Sequence, residues 1–307
     1  MEEHAGVHDY QDDPRNAEVL ISVNGALKPR AEAVVSVFDS GFILGDGVWE
    51  GLRVVDGGVA FLDQHLKRLY AGAKTIDMDV GLTPDELTAR LFACLKANGM
   101  TDGVHVRLMV TRGIKKTPYQ GPRFTIGSAT VVIIPEYKTP LPDVAQRGIT
   151  LHTVHVRRTG PAEQDQKLNS HSKLNCILAC IQADKAGADE ALMLDPAGFV
   201  ATCNSTHFFI ATNGEVWTSP PEYCLGGITR GNILAVCRAA GVPAFEKRFS
   251  LFDVYNADEC FVTGTFAGLA PVRSVDGREI AEVDGPLTRM LRDAYKEHLR
   301  SQLTPIT

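Results

Sequence analysis

Residues 38–61 read Phe-Asp-Ser-Gly-Phe-Ile-Leu-Gly-Asp-Gly-Val-Trp-Glu-Gly-Leu-Arg-Val-Val-Asp-Gly-Gly-Val-Ala-Phe. Val48 to Val55 predicts a strand, turned by Asp56-Gly57-Gly58 into a second at Val59-Ala60-Phe61. Leu62, Leu66, Leu69, Ala73 and Ile76 then fall at helical spacing. Upstream, Ala33 to Phe38 reads as a strand, and Val19 to Val23 runs into Asn24-Gly25, the dipeptide of a tight hairpin. Downstream, Thr83-Pro84-Asp85-Glu86 carries an N-cap, a proline at the first helical position and a capping-box glutamate. Leu87, Leu91 and Leu95 continue that helix until Asn98-Gly99, and strands follow at Val104 to Thr111 and Ala129 to Ile134.

Pro135 to Pro142 holds three prolines, which argues against a helix interior or a central strand and marks a linker. The expected organisation is a small α+β domain over 17–135, a linker over 136–147 and a larger domain over 148–303. The larger domain is strand-rich, with a strand at Ile149 to Val156 and short ones between Ala191 and Trp217. Ser172 to Ala186 is expected to be helical with Leu174, Leu178 and Ile181 on one face. Further helices are expected after Gly227 and from Pro286.

Across 307 residues, 31 Lys+Arg stand against 37 Asp+Glu, a net charge of −6, and no run of five like charges occurs. Nucleic acid and anionic membranes are therefore not expected partners. Apolar stretches are strand-sized, and the polar, acidic start (residues 1–16) lacks a secretory pattern, so the expected location is cytoplasmic. The seven cysteines contain no Cys-x-x-Cys and read as reduced thiols. Cys176 and Cys180 read as small core residues, and no metal site is expected.

Gly226-Gly227-Ile228-Thr229-Arg230 precedes a helix, whose free N–H groups and positive dipole end suit a phosphate. Gly264-Thr265 after a strand offers a second backbone approach with a hydroxyl. These features alone identify no reaction.

The segment 38–53, with Phe61 to Leu69, Ala186 to Asp195, Leu225 to Arg230, Ala257 to Thr265 and Pro271 to Gly277, resembles class IV (fold type IV) pyridoxal-phosphate aminotransferases over roughly residues 19–295. That family includes branched-chain and D-amino-acid aminotransferases, (R)-amine transaminases and aminodeoxychorismate lyase. The resemblance implies a two-domain α+β fold, a small α/β domain plus a larger strand-rich pseudo-barrel. It also implies a homodimer, with pyridoxal 5′-phosphate held between the domains of one subunit and loops of the other closing the site. Arg68 is then the expected partner of the cofactor phosphate, with the N–H groups of Ile228 and Thr229, Gly264 and the Thr265 hydroxyl completing the cradle.

The family's chemistry needs a lysine joined to the cofactor that later shuttles the substrate Cα proton, and it must be partly desolvated. Lys167 and Lys173 both stand in Lys-Leu-Asn triplets. Counting back from Leu178 to Glu190, which match the family without gaps, the expected position falls at 168 or 169. Lys167 needs a shift of one or two residues; Lys173 needs about a helical turn and already lies inside the expected helix. The register favours Lys167.

Several positions depart from the family pattern. Thr202 stands where a glutamate usually meets the pyridine nitrogen, and a hydroxyl cannot hold that nitrogen protonated as a carboxylate does. Cys176 matches a tyrosine that usually meets the cofactor's 3-oxygen. Leu44 and Trp49 occupy substrate-pocket positions, and Arg107 matches an arginine of branched-chain enzymes, with an intersheet ion pair as its alternative role. The arginine and histidine of D-amino-acid enzymes are absent, with Thr117 and Tyr119 nearby. The expected activity is transamination between an amino acid, branched-chain type favoured, or an amine and a 2-oxo acid. The alternatives are a D-amino-acid or (R)-amine transaminase, a lyase of the aminodeoxychorismate type, and a non-catalytic pyridoxal-phosphate-binding protein.

Overall fold

The computed structural model describes residues 6–141 and 144–307. Residues 1–5 of the polar start and 142–143 of the expected linker lie outside it. The chain forms two compact units: one from Asp12–Thr139, Leu168–Lys173 and Gln302–Thr307, the other from the residues through Gln11, Pro140–Lys167 and Leu174–Ser301.

The first unit carries strands β1 (Leu20–Val23), β2 (Ala26–Pro29), β3 (Gly47–Val55), β4 (Gly58–Ala60), β5 (Val104–Thr111), β6 (Ile114–Lys115), β7 (Thr125–Ile126) and β8 (Thr130–Tyr137). Its main sheet runs from the C-terminal strand Leu303–Pro305 through β4, β3, β5, β8 and β1 to β2, every neighbour antiparallel. β6 and β7 pair separately as a hairpin. Helices α1 (Ser40–Leu44), α2 (Leu62–Thr75) and α3 (Pro84–Ala97) complete the unit.

Local chemistry explains these elements. Asn24 and Gly25 adopt φ values of 53° and 86° at the β1–β2 turn, a left-handed pair that Asn-Gly accepts readily. Thr83 and Glu86 close the anticipated capping box on α3. Along β3 the period of two sends Val48, Glu50, Leu52 and Val54 to the buried face, against Leu62, Leu66, Leu69, Leu91 and Leu95 of α2 and α3.

The second unit contains β9 (Ile149–Thr153), β10 (Glu190–Leu194), β11 (Val200–Cys203), β12 (His207–Thr212), β13 (Glu215–Thr218), β14 (Ala244–Glu246), β15 (Glu259–Gly264), β16 (Gly268–Val275) and β17 (Arg278–Glu279). Their order is β11-β10-β9-β16-β15-β12-β13-β14, with β17 on β16. β9 runs parallel to β10 and β16, and β13 to β14; the other pairs are antiparallel. A turn closed by Cys203 N–H to Thr206 C=O leads from β11 at one end of this path to β12 near the other, so the sheet curls on itself. Its helices are α4 (Val144–Arg147), α5 (Pro161–Gln164), α6 (Leu174–Lys185), α7 (Ile228–Ala239), α8 (Leu251–Tyr255) and α9 (Pro286–Ser301).

Four expectations are corrected. Ala33 to Phe38 forms no strand: Val34 and Val37 are exposed, and β6 meets the segment at its end, where the Phe38 carbonyl accepts from Lys115 N–H at 2.9 Å. Pro135 does sit in a strand, β8, opposite Val106. The β1 ladder on its other side spans only Ile133 and Val132, so proline's missing N–H interrupts no pairing. On α6 the buried residues are Ala179 and Ala183, while Leu174, Ile177, Leu178 and Ile181 are exposed by 44% or more. Cys180 is exposed and Cys176 half-buried, so neither is a core residue.

Candidate functional site

The first unit holds a buried charge cluster. Glu50 is fully buried and takes a bidentate pair from Arg68, Nε to Oε1 at 2.8 Å and Nη2 to Oε2 at 2.6 Å. The Nδ1 of His65, on the same helix as Arg68, lies 2.7 Å from Oε2. Burial pulls Glu50 toward its neutral form, but the Arg68 and His65 hydrogen bonds outweigh it and hold the carboxyl below the usual range. Burial pushes His65 down, so the neutral ring donates from Nδ1. Arg68 is thus aimed by Glu50, a residue the sequence analysis did not single out. Its signal was available: a glutamate at a core-facing position of an otherwise apolar alternation.

On the opposite face of β3, the guanidinium of the exposed Arg107 lies 4.1 Å from the centre of the Trp49 ring, a cation–π contact. The Trp49 indole donates to the Ser170 carbonyl, and Asn169 Nδ2 donates to the Trp49 carbonyl at 2.6 Å. Leu44 ends α1 and is partly exposed; Gly45 follows with φ 66° as a left-handed cap.

Lys167 is largely exposed and sits 3.7 Å from Asp165. Lys173 is half-buried, and its Nζ donates to Asn169 Oδ1 at 3.1 Å while lying 5.5 Å from the Trp49 ring centre. The side chain of Lys173 therefore carries an ammonium back to residue 169, where the register count had placed the expected lysine.

In the second unit, α7 starts after Gly227 with no side-chain cap and no acid in its first turn. The N–H groups of Ile228 and Thr229 have no acceptor inside the helix. Thr229 is buried, and its Oγ1 accepts from Tyr295 at 3.5 Å. Gly264 ends β15, and Thr265 follows half-buried. Thr202 is buried on β11 and donates its hydroxyl to the Thr206 carbonyl at 2.9 Å. Glu190 fixes that turn by accepting from Ser205 N, Ser205 Oγ and Thr206 Oγ1, although burial still raises its pKa. Arg158 is buried; its Nη1 donates to Cys176 Sγ at 3.1 Å and its Nε has no partner among the described residues. The uncapped start of α7 supplies N–H donors that suit a phosphorylated, anionic group, and Arg158 Nε is a further unsatisfied buried donor of the same unit.

The model of the amino-transferase class IV family matches residues 47–275, and the chain belongs to that family. Its members use pyridoxal phosphate. The chain is 40% identical over 95% of its length to branched-chain-amino-acid aminotransferase-like protein 2 of Arabidopsis thaliana, and spans about half (52%) of that protein. It is 34% identical to the branched-chain-amino-acid aminotransferase of Pseudomonas aeruginosa, covering 90% of this chain and 91% of that one. The crystal structure of the branched-chain aminotransferase of the thermophilic archaeon Thermoproteus uzoniensis with norvaline superposes with a TM-score of 0.84 at 28% identity, covering 94% of this chain and 99% of that one. These matches bear out the expected α+β, fold-type IV architecture. Among the described residues no helix is long and apolar enough to cross a membrane.

Proposed function

We propose that this chain is a pyridoxal-phosphate-dependent transaminase, acting in the cytoplasm as a homodimer, that exchanges an amino group between a branched-chain amino acid and a 2-oxo acid. The observation that carries this reading is the Lys173 amine held against Asn169 at the place where the family's covalent lysine is expected. Lys167, favoured by register, is largely exposed beside Asp165 and has no comparable hold on its amine.

When bound, the cofactor supplies an electron sink that makes the substrate Cα–H acidic. Lys173 Nζ takes that proton and returns it, with Asn169 Oδ1 orienting the amine. The N–H groups of Ile228 and Thr229 and the Thr265 hydroxyl bind phosphate oxygens. Arg68, held by Glu50, keeps the role the resemblance implies for it, a charge pair with a cofactor phosphate. Thr202 donates its hydroxyl hydrogen bond to the Thr206 carbonyl and so would offer a ring nitrogen only an uncharged acceptor. Leu44 and Trp49 supply apolar surface for an aliphatic side chain, and Arg107 meets a substrate carboxylate. Losing a charged hydrogen bond of that kind costs about 1.5–3 kcal/mol. Arg107→Gln should therefore raise KM for 2-oxoglutarate at least about tenfold while changing kcat less; a change confined to kcat would assign Arg107 elsewhere.

A donor panel tests the activity. L-leucine with 2-oxoglutarate should yield glutamate. Turnover of D-alanine alone, or pyruvate release without an acceptor, would replace the reading with a D-amino-acid enzyme or a lyase.

The homodimer is supported by apolar side chains left exposed on α6 (Leu174, Ile177, Leu178, Ile181) and by Val34, Val37, Phe38 and Phe42. Light scattering after size exclusion should give twice the chain mass, and Ile177→Glu with Ile181→Glu should shift it toward one. A wild-type monomer contradicts the homodimer.

A further inference from the structure

Two stretches that flank the family match, which covers residues 47–275, meet the turn that carries Thr265. Gly264 and Gly268 stand opposite each other at the end of the β15–β16 ladder, so Thr265, Phe266 and Ala267 form the tip of that hairpin. The tip lies beyond the ladder bonds, and its position is set by what packs around it.

The first stretch is residues 6–10. Gly6 N–H donates to Asp9 Oδ2 at 2.6 Å and Asp9 N–H to the Gly6 carbonyl at 3.2 Å, a turn closed on itself. Tyr10 then bridges to Pro140. This turn brings Val7 and His8 to the hairpin. Val7 is buried and joins the core of the second unit. With His8 it closes over Val262, Gly264, Gly268 and Ala270, leaving no room for a water molecule between them. The His8 ring, at an exposed position, stacks on the buried Phe266 with centres 6.4 Å apart and planes at 15°.

The second stretch is α9. Its Tyr295 is buried, and the ring lies 3.6 Å from the point where a side chain on Gly268 would begin. Its hydroxyl donates to Thr229 Oγ1 at 3.5 Å. One side chain therefore touches both arms of the cradle, the hairpin with Thr265 and the start of α7 with Thr229. Burial pushes the phenol up to about 12, so it stays a neutral donor. A hydroxyl has one proton and two lone pairs; by accepting from Tyr295, Thr229 keeps its own proton to give to a phosphate oxygen.

We propose that His8 and Tyr295 are positioning residues for the cofactor phosphate: His8 fixes the Thr265 tip through Phe266, and Tyr295 fixes the same hairpin and the Thr229 hydroxyl. This rests on the pyridoxal-phosphate reading above and adds two residues to it from outside the matched region.

The test is equilibrium dialysis of the full chain, stripped of cofactor, against pyridoxal phosphate and, separately, against pyridoxal, which has no phosphate. Tyr295→Phe keeps the ring and loses the donor; His8→Ala loses the stack. Each should raise the Kd for pyridoxal phosphate at least about threefold, and the double variant about tenfold. The Kd for pyridoxal should stay within about twofold in all of them. His8→Phe retains a stacking ring and should restore wild-type affinity. His8 is exposed, so its variants carry the test even if Tyr295→Phe fails to fold by circular dichroism. Equal loss for both ligands would mean that these residues serve the fold alone, and overturns the proposal; so does unchanged affinity for pyridoxal phosphate. A wild-type chain that binds no pyridoxal phosphate overturns the transaminase reading as well, whereas tight wild-type binding left unaltered by the variants overturns this proposal alone.

Discussion

Lys173→Ala should lower kcat for amino transfer by about 10⁴-fold, whereas Lys167→Ala should leave it within about twofold. The contrast follows from surroundings, not from the residues, which are chemically identical. Lys167 lies in solvent beside Asp165. Lys173 is half-buried, its amine oriented by the hydrogen bond to Asn169 Oδ1 and lying 5.5 Å from the Trp49 ring centre. A variant that loses activity by unfolding is recognised by its circular dichroism, and Lys173→Arg separates charge from chemistry: it keeps the cation but should remain inactive. Full activity in Lys173→Ala with loss in Lys167→Ala would restore the register assignment.

The second large effect concerns stability. Glu50→Ala should destabilise the first unit by about 3–5 kcal/mol, because it leaves the Arg68 guanidinium and the buried His65 ring without their shared acceptor. In a thermal melt the expected drop in Tm is about 10 °C or more. The same cluster predicts an acid limb. His65 has a lowered folded pKa, so its contribution is full above its unfolded value near 6.5 and is lost as pH falls toward the folded one. Glu50 is also lowered, so its contribution is present above its unfolded value of 4.5 and is lost as pH falls through the folded one. The wild-type Tm should decline below pH 6.5 and more steeply below 4.5, and Glu50→Gln should flatten the lower part. A Tm insensitive to Glu50 substitution would mean that the cluster contributes nothing to the fold.

Elements whose cause is local were legible in the sequence. Asn24-Gly25 encodes its own left-handed turn, Thr83 and Glu86 their capping box, and Gly226-Gly227 the start of α7. Elements decided by a neighbour were not. Pro135 belongs to a strand because the adjacent ladder stops short of it. Ala33 to Phe38 has the alternation of a strand, yet β6 reaches it at its end, at Phe38. The apolar stripe on α6 is real, yet Ala179 and Ala183 take the buried side and leave the larger side chains outside. The site divides in the same way. The resemblance led to Arg68, and the structure adds Glu50 as the group that aims it. Register counting led to position 168 or 169, but only three-dimensional geometry shows that a lysine one turn downstream reaches back to it.

The most direct test is to load the chain with pyridoxal phosphate, reduce it with borohydride and map the modified peptide by mass spectrometry. The account predicts one phosphopyridoxyl group, on Lys173. Modification of Lys167 instead, or of no lysine at all, would contradict it.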